Sequence, residues 1–359
     1  MTNTLTPAET FPPGEYLRDE LEVRGWSEKE FAEILGRPVQ AVSEIMNGRK
    51  QIVPETALAI AEALGTSAEL WINLQAAFNL YEAKSGRPPI TDVTRRARLR
   101  SCVPVSELRQ RGWLPDTDDL NKLEAAVLDF LEIPDFDSEP QFAVAARRTN
   151  ATESLTAQQR SWLARLRRLA LDREVGDFDP VAVKSLAADL VHRIHDPTDL
   201  GQLEMWLGEV GVILITLLPL KSSKLDGAVM ILEDGRPVIG LTSRGDRMDG
   251  YVFTLLHELA HVCLGHLDSN GLRTDEDVLE GEVQDSVESA ANKQAAEWIF
   301  PEDTLLPAGR PTMAAILQVA GRHRIHASFV IGRMQRDRKD WGMLRRSIPR
   351  VRPYVAVES

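Results

Sequence analysis

Two histidines and a glutamate within five residues are the group in this sequence most suited to metal chemistry. The stretch YVFTLLHELAHVCLGH, residues 251–266, places His257 and His261 four residues apart with Glu258 between them. Four residues of an α-helix turn the chain by about 400°, so both imidazoles point from one face toward one ion. Zinc lowers the pKa of a bound water to about 7, and a neighbouring carboxylate can then accept the proton. The spacing predicts a catalytic Zn2+ centre with Glu258 as the general base.

The alternative is an ordinary core helix that carries incidental polar residues. Histidine and glutamate are common on helices, so a five-residue motif can arise by accident. The surrounding residues are largely apolar, however, on several faces of the helix. Burying two imidazoles and a carboxylate there is unfavourable unless they have partners, which favours the metal centre.

A catalytic zinc centre needs a third protein ligand and an open fourth position. His266 is rotated around the helix by roughly 140° from His261, so it does not point toward the same ion. This direction favours a residue at the helix end or one that supports a metal ligand from behind. Glu288, in ESAANKQAAEWIFP, is the preferred third ligand because the small residues Ala290 and Ala291 would let its helix pack closely. Its rivals are Glu280, Glu282 and Asp285, of which the first two lie in an acidic run that is typical of a solvated loop.

Strands and helices around this centre are predicted from hydrophobic periodicity. Residues 210–217 form a short β-branched run, and residues 227–243 form two strand-like runs around Asp234-Gly235, a strong hairpin signal. The hairpin is expected to supply a sheet edge that could hold an extended peptide by strand addition. Helices are predicted over 285–300, where Pro301 ends the pattern, and near 327–338, before an irregular tail.

A helix, a tight turn and a second helix are predicted near the N-terminus. Residues 25–65 are predicted as four short helices, and Ser27 with Glu30 forms a capping box. Gly36 is a natural turn residue, and Pro38 suits the first turn of the next helix. The pattern is typical of helix-turn-helix DNA-binding units. The second helix is expected to bury Val39, Val42, Ile45 and Met46.

Side chains of this second helix are expected to contact DNA. Gln40 can form two hydrogen bonds with the edge of an adenine, and Ser43 can form hydrogen bonds with several different bases. Residues 37–51 carry three basic residues and one acidic residue, whereas residues 1–84 carry 7 basic and 13 acidic residues. The patch is therefore basic on an acidic domain, and a partner-binding helical module is the alternative. The predicted DNA-binding residues are Arg37, Gln40, Ala41, Ser43, Glu44, Asn47, Arg49 and Lys50.

Length, charge and composition exclude several classes of protein. A chain of 359 residues with 43% hydrophobic residues suggests two or three globular domains. No run reaches the roughly 18 apolar residues of a membrane helix, and the first residues lack a secretory signal pattern. The two cysteines, Cys102 and Cys263, are far apart, which favours the cytoplasm. A net charge of −12 argues against coating of nucleic acid by the whole chain but allows a small DNA-reading patch.

Two stretches resemble known families. The hairpin, FTLLHELAH and ESAANKQAAEWIFP together resemble the ImmA/IrrE family of zinc metallopeptidases over roughly residues 205–335. The resemblance implies hydrolysis of a peptide bond in a protein substrate, with Glu258 as the base. Gln294 departs from the family pattern, where an aromatic or aliphatic residue is usual, and this departure concerns packing. The implied zinc ligands are His257, His261 and Glu288.

Residues 11–82, from FPPGEYLRDEL to ALGTSAELWINLQAAFNL, closely resemble the DNA-binding domains of HigA/VapI-type antitoxins of the XRE repressor class. This resemblance implies a homodimer on palindromic operator DNA. The two resemblances together favour a regulator that carries a zinc-dependent peptidase. The alternative is a non-catalytic antitoxin or autorepressor whose metal domain binds a cognate toxin or a signal.

The predicted fold is mainly α-helical. A five-helix helix-turn-helix domain is expected over 1–90, with a hinge in the Gly- and Pro-containing stretch 85–90. A helical region over 91–200 links it to an α+β zincin-like domain with a small sheet over 201–340, and a tail follows over 341–359. Residues 94–100, TRRARLR, are basic enough to contact DNA phosphates, and a solvated helix face is the alternative.

Overall fold

The computed structural model describes residues 10–85, 91–138, 140, 144–146, 155–266, 280–301, 304–307, 309 and 311–358, and for 144–146 and 280–286 it describes the backbone alone. The chain divides into two compact units, Met1–Thr91 and Asp92–Ser359. The mainly helical fold with a small sheet is confirmed. Within the described ranges, no helix combines the length and apolarity that a membrane crossing requires.

Five helices form the described part of the first unit, as predicted. The side chain of Ser27 accepts a hydrogen bond from the backbone of Glu30, and the Glu30 carboxylate accepts one from Ser27 N, which completes the capping box. Gly36, with φ of 62°, makes the turn between the second and third helices. Gly14 packs on the end of the third helix, where a Cβ atom would overlap the carbonyl oxygen of Met46. The helices are α1 (Pro13–Arg24), α2 (Glu28–Ile34), α3 (Val39–Met46), α4 (Pro54–Leu64) and α5 (Ala68–Lys84).

Two details of the predicted helix-turn-helix unit are wrong. Residues 25–65 hold three helices and not four, because Gly48, with φ of 69°, follows α3 and leads into a loop that lasts to residue 53. Val39 is 42% exposed because it begins α3 at the edge of the core. The other three residues predicted for this core, Val42, Ile45 and Met46, are buried.

A four-stranded sheet lies at the centre of the described part of the second unit. Its strand order is β1-β3-β4-β2. The predicted hairpin is confirmed: β3 and β4 are antiparallel neighbours, and Gly235 has the positive φ of 88° that the turn requires. β2 pairs with β4 in parallel orientation. The strands are β1 (Val144–Ala146), β2 (Ile213–Thr216), β3 (Gly227–Ile231) and β4 (Pro237–Leu241).

The prediction that the hairpin supplies a free sheet edge is wrong. β1 covers β3 in antiparallel register, from Val144 opposite Met230 to Ala146 opposite Ala228. On the other side, β2 covers β4. The covering strand β1 precedes the hairpin by about 80 residues and comes from the region predicted as helical. Local hydrophobic periodicity carries no information about pairing over such a distance.

The two faces of the sheet support two hydrophobic cores, because successive strand residues point to opposite faces. Ile213, Ala228 and Val238 contribute to the core beneath the helices of residues 92–171. In β4, Gly240 has no room for a side chain, because Trp162 and Leu166 of the overlying helix occupy that space. These helices are therefore packed on the sheet and not separate from it. They are α6 (Asp92–Cys102), α7 (Val105–Gln110), α8 (Leu120–Leu131) and α9 (Ala157–Leu171).

The second core holds the helix that carries the HELAH motif. Leu214, Val229 and Ile239 point into this core from the sheet. The acidic run at Glu280 is helical and not a loop, because the helix predicted from residue 285 begins there. The C-terminal tail returns to the sheet, where Glu358 bridges to Leu217 beside β2. The helices of this core are α10 (Pro180–Arg193), α11 (Leu203–Glu209), α12 (Met248–Cys263), α13 (Glu280–Ile299), α14 (Met313–His323), which was not predicted, and α15 (Ala327–Arg338); short 3-10 turns lie at Pro197–Gln202 and Arg345–Ser347.

Candidate metal centre and helix-turn-helix unit

α12 buries the three polar residues of the HELAH motif almost completely. His257 and Glu258 are 0% exposed and His261 is 1% exposed. The helix packs on β3 and β4 on one side and on α13 on another, so its apolar residues reach the core in several directions. Groups of this polarity are stable at such depth only when they are partnered. The packing therefore requires partners for these side chains from the elements that surround α12.

Three side chains converge between α12 and α13. The Nε2 atoms of His257 and His261 lie 3.1 Å apart. Glu288 of α13 places Oε2 3.2 Å from His257 Nε2 and Oε1 3.5 Å from His261 Nε2. All three donors lie within 4.8 Å of one another, in a cluster that could hold a metal ion. A tetrahedral ion with bonds of roughly 2.0–2.2 Å separates its donors by about 3.4 Å, so the spacing of these residues fits an ion.

Small residues let α13 approach α12, although not both of those predicted. Ala291 is completely buried, whereas Ala290 is exposed. Ala295, one turn after Ala291, is also completely buried and takes the second position. A helix buries residues three or four apart, so adjacent alanines cannot both face one neighbour. The side chains of the rival ligands Glu280, Glu282 and Asp285 lie outside the described residues.

His266 contacts the back of one of the two imidazoles. Its Nδ1 lies 3.1 Å from Nδ1 of His261, the ring nitrogen that points away from the cluster. His266 therefore contacts the side of the His261 ring that faces away from the proposed metal, which is one of the two positions predicted from its direction around the helix. Burial, more than the neighbouring charges, lowers the pKa of His261 to about 4, and it also lowers the pKa of His266. Both rings therefore favour the neutral form that binds metals.

The carboxylate of Glu258 lies against the beginning of β3. A Cβ atom on Gly227 would lie 2.8 Å from Oε1 of Glu258 and 2.7 Å from Cγ2 of Thr254. The strand backbone can pass this close to the carboxylate only because residue 227 has no side chain. Sequence reasoning missed Gly227, although a glycine inside a strand run is a signal of close backbone approach.

Replacement of Gly227 by alanine is expected to destabilise the protein by about 1–3 kcal/mol, because the new methyl group overlaps two side chains in a packed site. Urea denaturation monitored by circular dichroism measures the change. The matched control is Gly321→Ala in α14, where a Cβ atom meets nothing within 4 Å. Equal stability of the two variants would show that the site accommodates the methyl group.

The metal-free protein is expected to lose stability as the pH falls from about 6.5 toward 4. In that window the unfolded chain protonates His261, whose ordinary pKa is 6.5, while the native ring, with a pKa of about 4, stays neutral. The unfolded state then binds more protons, so the stabilisation present above pH 6.5 is lost progressively, up to about 3 kcal/mol. The urea midpoints of chelator-treated protein, recorded across this pH range, measure the loss of stability. His261→Gln should flatten the slope, and parallel slopes would contradict the assignment.

The predicted DNA-binding residues lie just before, along and just after α3, and their exposures differ. Gln40 donates to Oε1 of Glu44 at 3.3 Å, and Asn47 donates to the backbone oxygen of Ser43 at 2.8 Å. Arg37 donates to Thr56 of α4 at 2.8 Å, which holds its guanidinium at the protein surface. Exposed members are Gln40, Asn47, Arg49 and Lys50, and half-buried members are Arg37, Ala41, Ser43 and Glu44.

Other residues considered for function are explained by structural contacts. His326 is the N-cap of α15, and its Nδ1 accepts a hydrogen bond from Ser328 N, so its contacts are those of a capping residue. Within residues 94–100, Arg95 pairs with Glu124 at 2.6 Å. Arg98 pairs with Asp137 at 2.5 Å. These ion pairs favour a solvated structural face over a phosphate-binding one.

Solved structures similar to this chain cover between a fifth and a quarter of its length. A HigA-family addiction module antidote protein from Coxiella burnetii is 31% identical and covers 23% of this chain and 99% of its own, with a TM-score of 0.20. PA4674 from Pseudomonas aeruginosa, in complex with its operator DNA, is 30% identical and covers 22% of this chain and 87% of its own, with a TM-score of 0.22.

Sequence comparisons cover both ends of the chain. Residues 17–71 match the helix-turn-helix family, and residues 212–334 match the IrrE N-terminal-like domain of the M78 peptidases. The HTH-type transcriptional regulator YddM of Escherichia coli K12 is 31% identical over 87 residues, 24% of this chain and 88% of its own. Antitoxin HigA-1 of Vibrio cholerae is 37% identical over 73 residues, which are 20% of this chain and 69% of the antitoxin. The chain belongs to the XRE-type helix-turn-helix regulators with HigA antitoxin relatives, and its C-terminal part is an IrrE N-terminal-like peptidase domain.

Proposed function

We propose that this regulator hydrolyses a peptide bond in a protein target, with a zinc ion held by His257, His261 and Glu288. The observation that carries the proposal is the convergence of three donor atoms beside the buried carboxylate of Glu258. The separations between donors, 3.1, 3.2 and 3.5 Å, agree with those of a tetrahedral site. The match of residues 212–334 to a peptidase family supports the same reaction.

The donor set favours zinc over other metals. Two imidazole nitrogens and one carboxylate oxygen are a ligand combination that catalytic zinc uses, and they leave a fourth position for water or substrate. Hard ions such as Mg²⁺ and Ca²⁺ prefer oxygen ligands. When bound, zinc polarises a carbonyl group and makes a water more acidic at neutral pH. Elemental analysis of protein purified without added metal is expected to find about one zinc per chain, and a chain without bound metal would contradict the assignment.

Residues around the proposed zinc ligands would transfer the proton, orient a ligand and limit access of water. Glu258 lies on the same helical face as both histidines, held between Thr254 and the β3 backbone. We infer that it accepts the proton of the attacking water and passes it to the leaving amine. His266 hydrogen-bonds Nδ1 of His261, which keeps the Nε2 atom of that ring directed at the cluster. Burial of the motif keeps bulk water from the reacting groups.

The N-terminal unit is proposed to bind a palindromic operator as a homodimer. The structure of PA4674 contains its operator DNA, and that of Pseudomonas aeruginosa antitoxin HigA contains the higBA promoter. In this chain, α3 presents Gln40 at its beginning, and Arg49 and Lys50 follow its end, all exposed. A helix with an amide for base edges and cations for phosphates suits the major groove.

Gln40→Ala combined with Ser43→Ala is expected to relax sequence preference by about 1–3 kcal/mol, because a bidentate base contact is lost. Arg49→Ala with Lys50→Ala should instead weaken binding to all sequences and reduce its salt dependence. Gel shifts at several salt concentrations, on a site selected from random DNA, separate the two effects. Lys84→Ala, exposed at the end of α5, is the control. Equal binding of the unmutated protein to every sequence would contradict specific readout.

A second candidate function is an autorepressing antitoxin whose metal domain binds a toxin or a signal without cleaving it. The specific observation is the 37% identity with antitoxin HigA-1. Affinity purification from cells that express the unmutated protein or Glu258→Gln distinguishes the two functions. A partner captured intact by both favours the antitoxin. A partner captured intact only by Glu258→Gln, and as fragments otherwise, favours the peptidase.

A further inference from the structure

A cavity of about 270 Å³ lies beside the candidate metal centre. Gly250, Phe253 and Thr254 line it from α12, and Phe300, which follows α13, lines it from the other side. Among the described residues it also contacts α15 and the segment after it, including Trp341. The residues proposed to bind zinc do not line it, so the cavity adjoins the centre without containing it.

Two observations place the cavity next to the centre. Thr254 precedes His257, Glu258 and His261 by three, four and seven residues, so it shares their face of α12. Its methyl group and the Glu258 carboxylate both contact the space above Gly227. The cavity therefore begins within one helical turn of the proposed base. Gly250, a further turn away on the same face, extends it along the helix.

The walls of the cavity favour an apolar occupant. Aromatic rings supply much of the surface, and the charged groups at the wall are already compensated. Arg247 pairs with Asp249 at 2.6 Å, and Arg333 pairs with Asp337 at 2.7 Å. The guanidinium of Arg333 also lies 5.8 Å from the ring centre of Phe300, which covers its face. A charged ligand would have to disrupt these pairs, whereas an apolar group would not.

The volume of the cavity suits one large side chain. Sites for drug-sized molecules occupy roughly 300–1,000 Å³, and this cavity is smaller. A peptide that crosses the metal centre advances about 3.3 Å per residue, so the side chain next to the reacting bond falls within reach of Thr254. We propose that the cavity is a specificity pocket that accepts one large apolar side chain, aromatic or leucine-like, next to the bond to be cleaved. This inference rests on the proposed peptidase function.

Gly250 offers a direct test. It lines the cavity, and a Cβ atom on it would meet nothing within 4 Å, so Gly250→Leu fills the pocket without displacing the protein. The matched control is Gly321→Leu, an exposed helical glycine of α14 with equally open surroundings. Peptides from a tryptic digest of serum albumin serve as substrates, and mass spectrometry maps the new termini. The unmutated protein and Gly321→Leu should cut beside Phe, Leu, Met or Trp at least about tenfold more often than beside Ala or Ser. Gly250→Leu should lose that preference.

A binding measurement keeps this inference separate from the proposed function. N-acetyl-phenylalanine amide at millimolar concentration should change the tryptophan fluorescence of the metal-free protein, because Trp341 lines the cavity and is 59% exposed. N-acetyl-alanine amide should not, and neither compound should affect Gly250→Leu or Trp341→Phe. Cleavage without side-chain preference, or no response to the phenylalanine compound, overturns the pocket and leaves the peptidase standing. Binding without any cleavage supports an apolar side-chain pocket at this place but overturns the peptidase, and with it the role of the pocket beside a cleaved bond.

Discussion

Replacement of Glu258 by glutamine is expected to abolish peptide cleavage while the protein keeps its metal. Glutamine has nearly the same shape as glutamate but cannot accept a proton, and a general base typically contributes about 10²–10⁴-fold to the rate. Glu258 is completely buried and does not belong to the cluster of three donors. The fold and the metal content should therefore change little. Values of kcat/KM on the peptide mixture, together with elemental analysis of the same preparation, measure the two properties.

The control for this change lies on α13. Glu297 is partly exposed and lies 3.9 Å from Lys293, far along the helix from the cluster. Glu297→Gln removes an equal charge and should leave cleavage unchanged. Retention of more than half of the activity in Glu258→Gln would remove this residue from the mechanism. Loss of metal in that variant would instead show that Glu258 is a ligand.

Replacement of Glu288 by alanine is expected to lower zinc affinity by more than about 100-fold. Even residues that only support a ligand contribute about 10–100-fold, and Glu288 lies 3.2 and 3.5 Å from the two imidazole nitrogens. Without its carboxylate, two neutral rings would have to hold the ion with water alone. Competition with a chromophoric chelator measures the affinity, and Glu297→Ala is the control on the same helix.

The rival carboxylates make this second prediction decisive. Glu280, Glu282 and Asp285 belong to the same helix, α13. Alanine at each of them should leave zinc affinity within about threefold of the unmutated protein. If affinity survived Glu288→Ala and fell with one of the rivals, that residue would replace Glu288 as the third ligand.

Much of the local structure could be predicted because it depends on neighbours within one turn. Ser27 and Glu30 are three residues apart, and that spacing alone defines a capping box. Asp234-Gly235 between two apolar runs determines a tight hairpin, since the positive φ of the glycine suits the turn. The resemblances to an antitoxin DNA-binding domain and an IrrE-like peptidase domain, confirmed by the comparisons, rest on short motifs of the same kind.

Pairing between distant segments was beyond such patterns. β1 covers β3 from about 80 residues away, and this removed the sheet edge that the hairpin was expected to offer. The predicted contact of Ala290 failed because the direction of α13 against α12 decides which alanine is buried. Both contacts depend on how helices and strands pack together, and the periodicities of 2.0 residues in strands and 3.6 residues in helices do not encode that packing.

The sequence by itself determined that two imidazoles and a carboxylate share one face of a helix, because the α-helical repeat sets their directions wherever that helix lies. Only the tertiary structure decided what faces them. It brought Glu288 to the rings, laid the backbone of Gly227 against Glu258 and left a cavity beside Thr254. The reason is that these neighbours come from other segments, and their distances follow from how two cores pack on the two faces of one sheet.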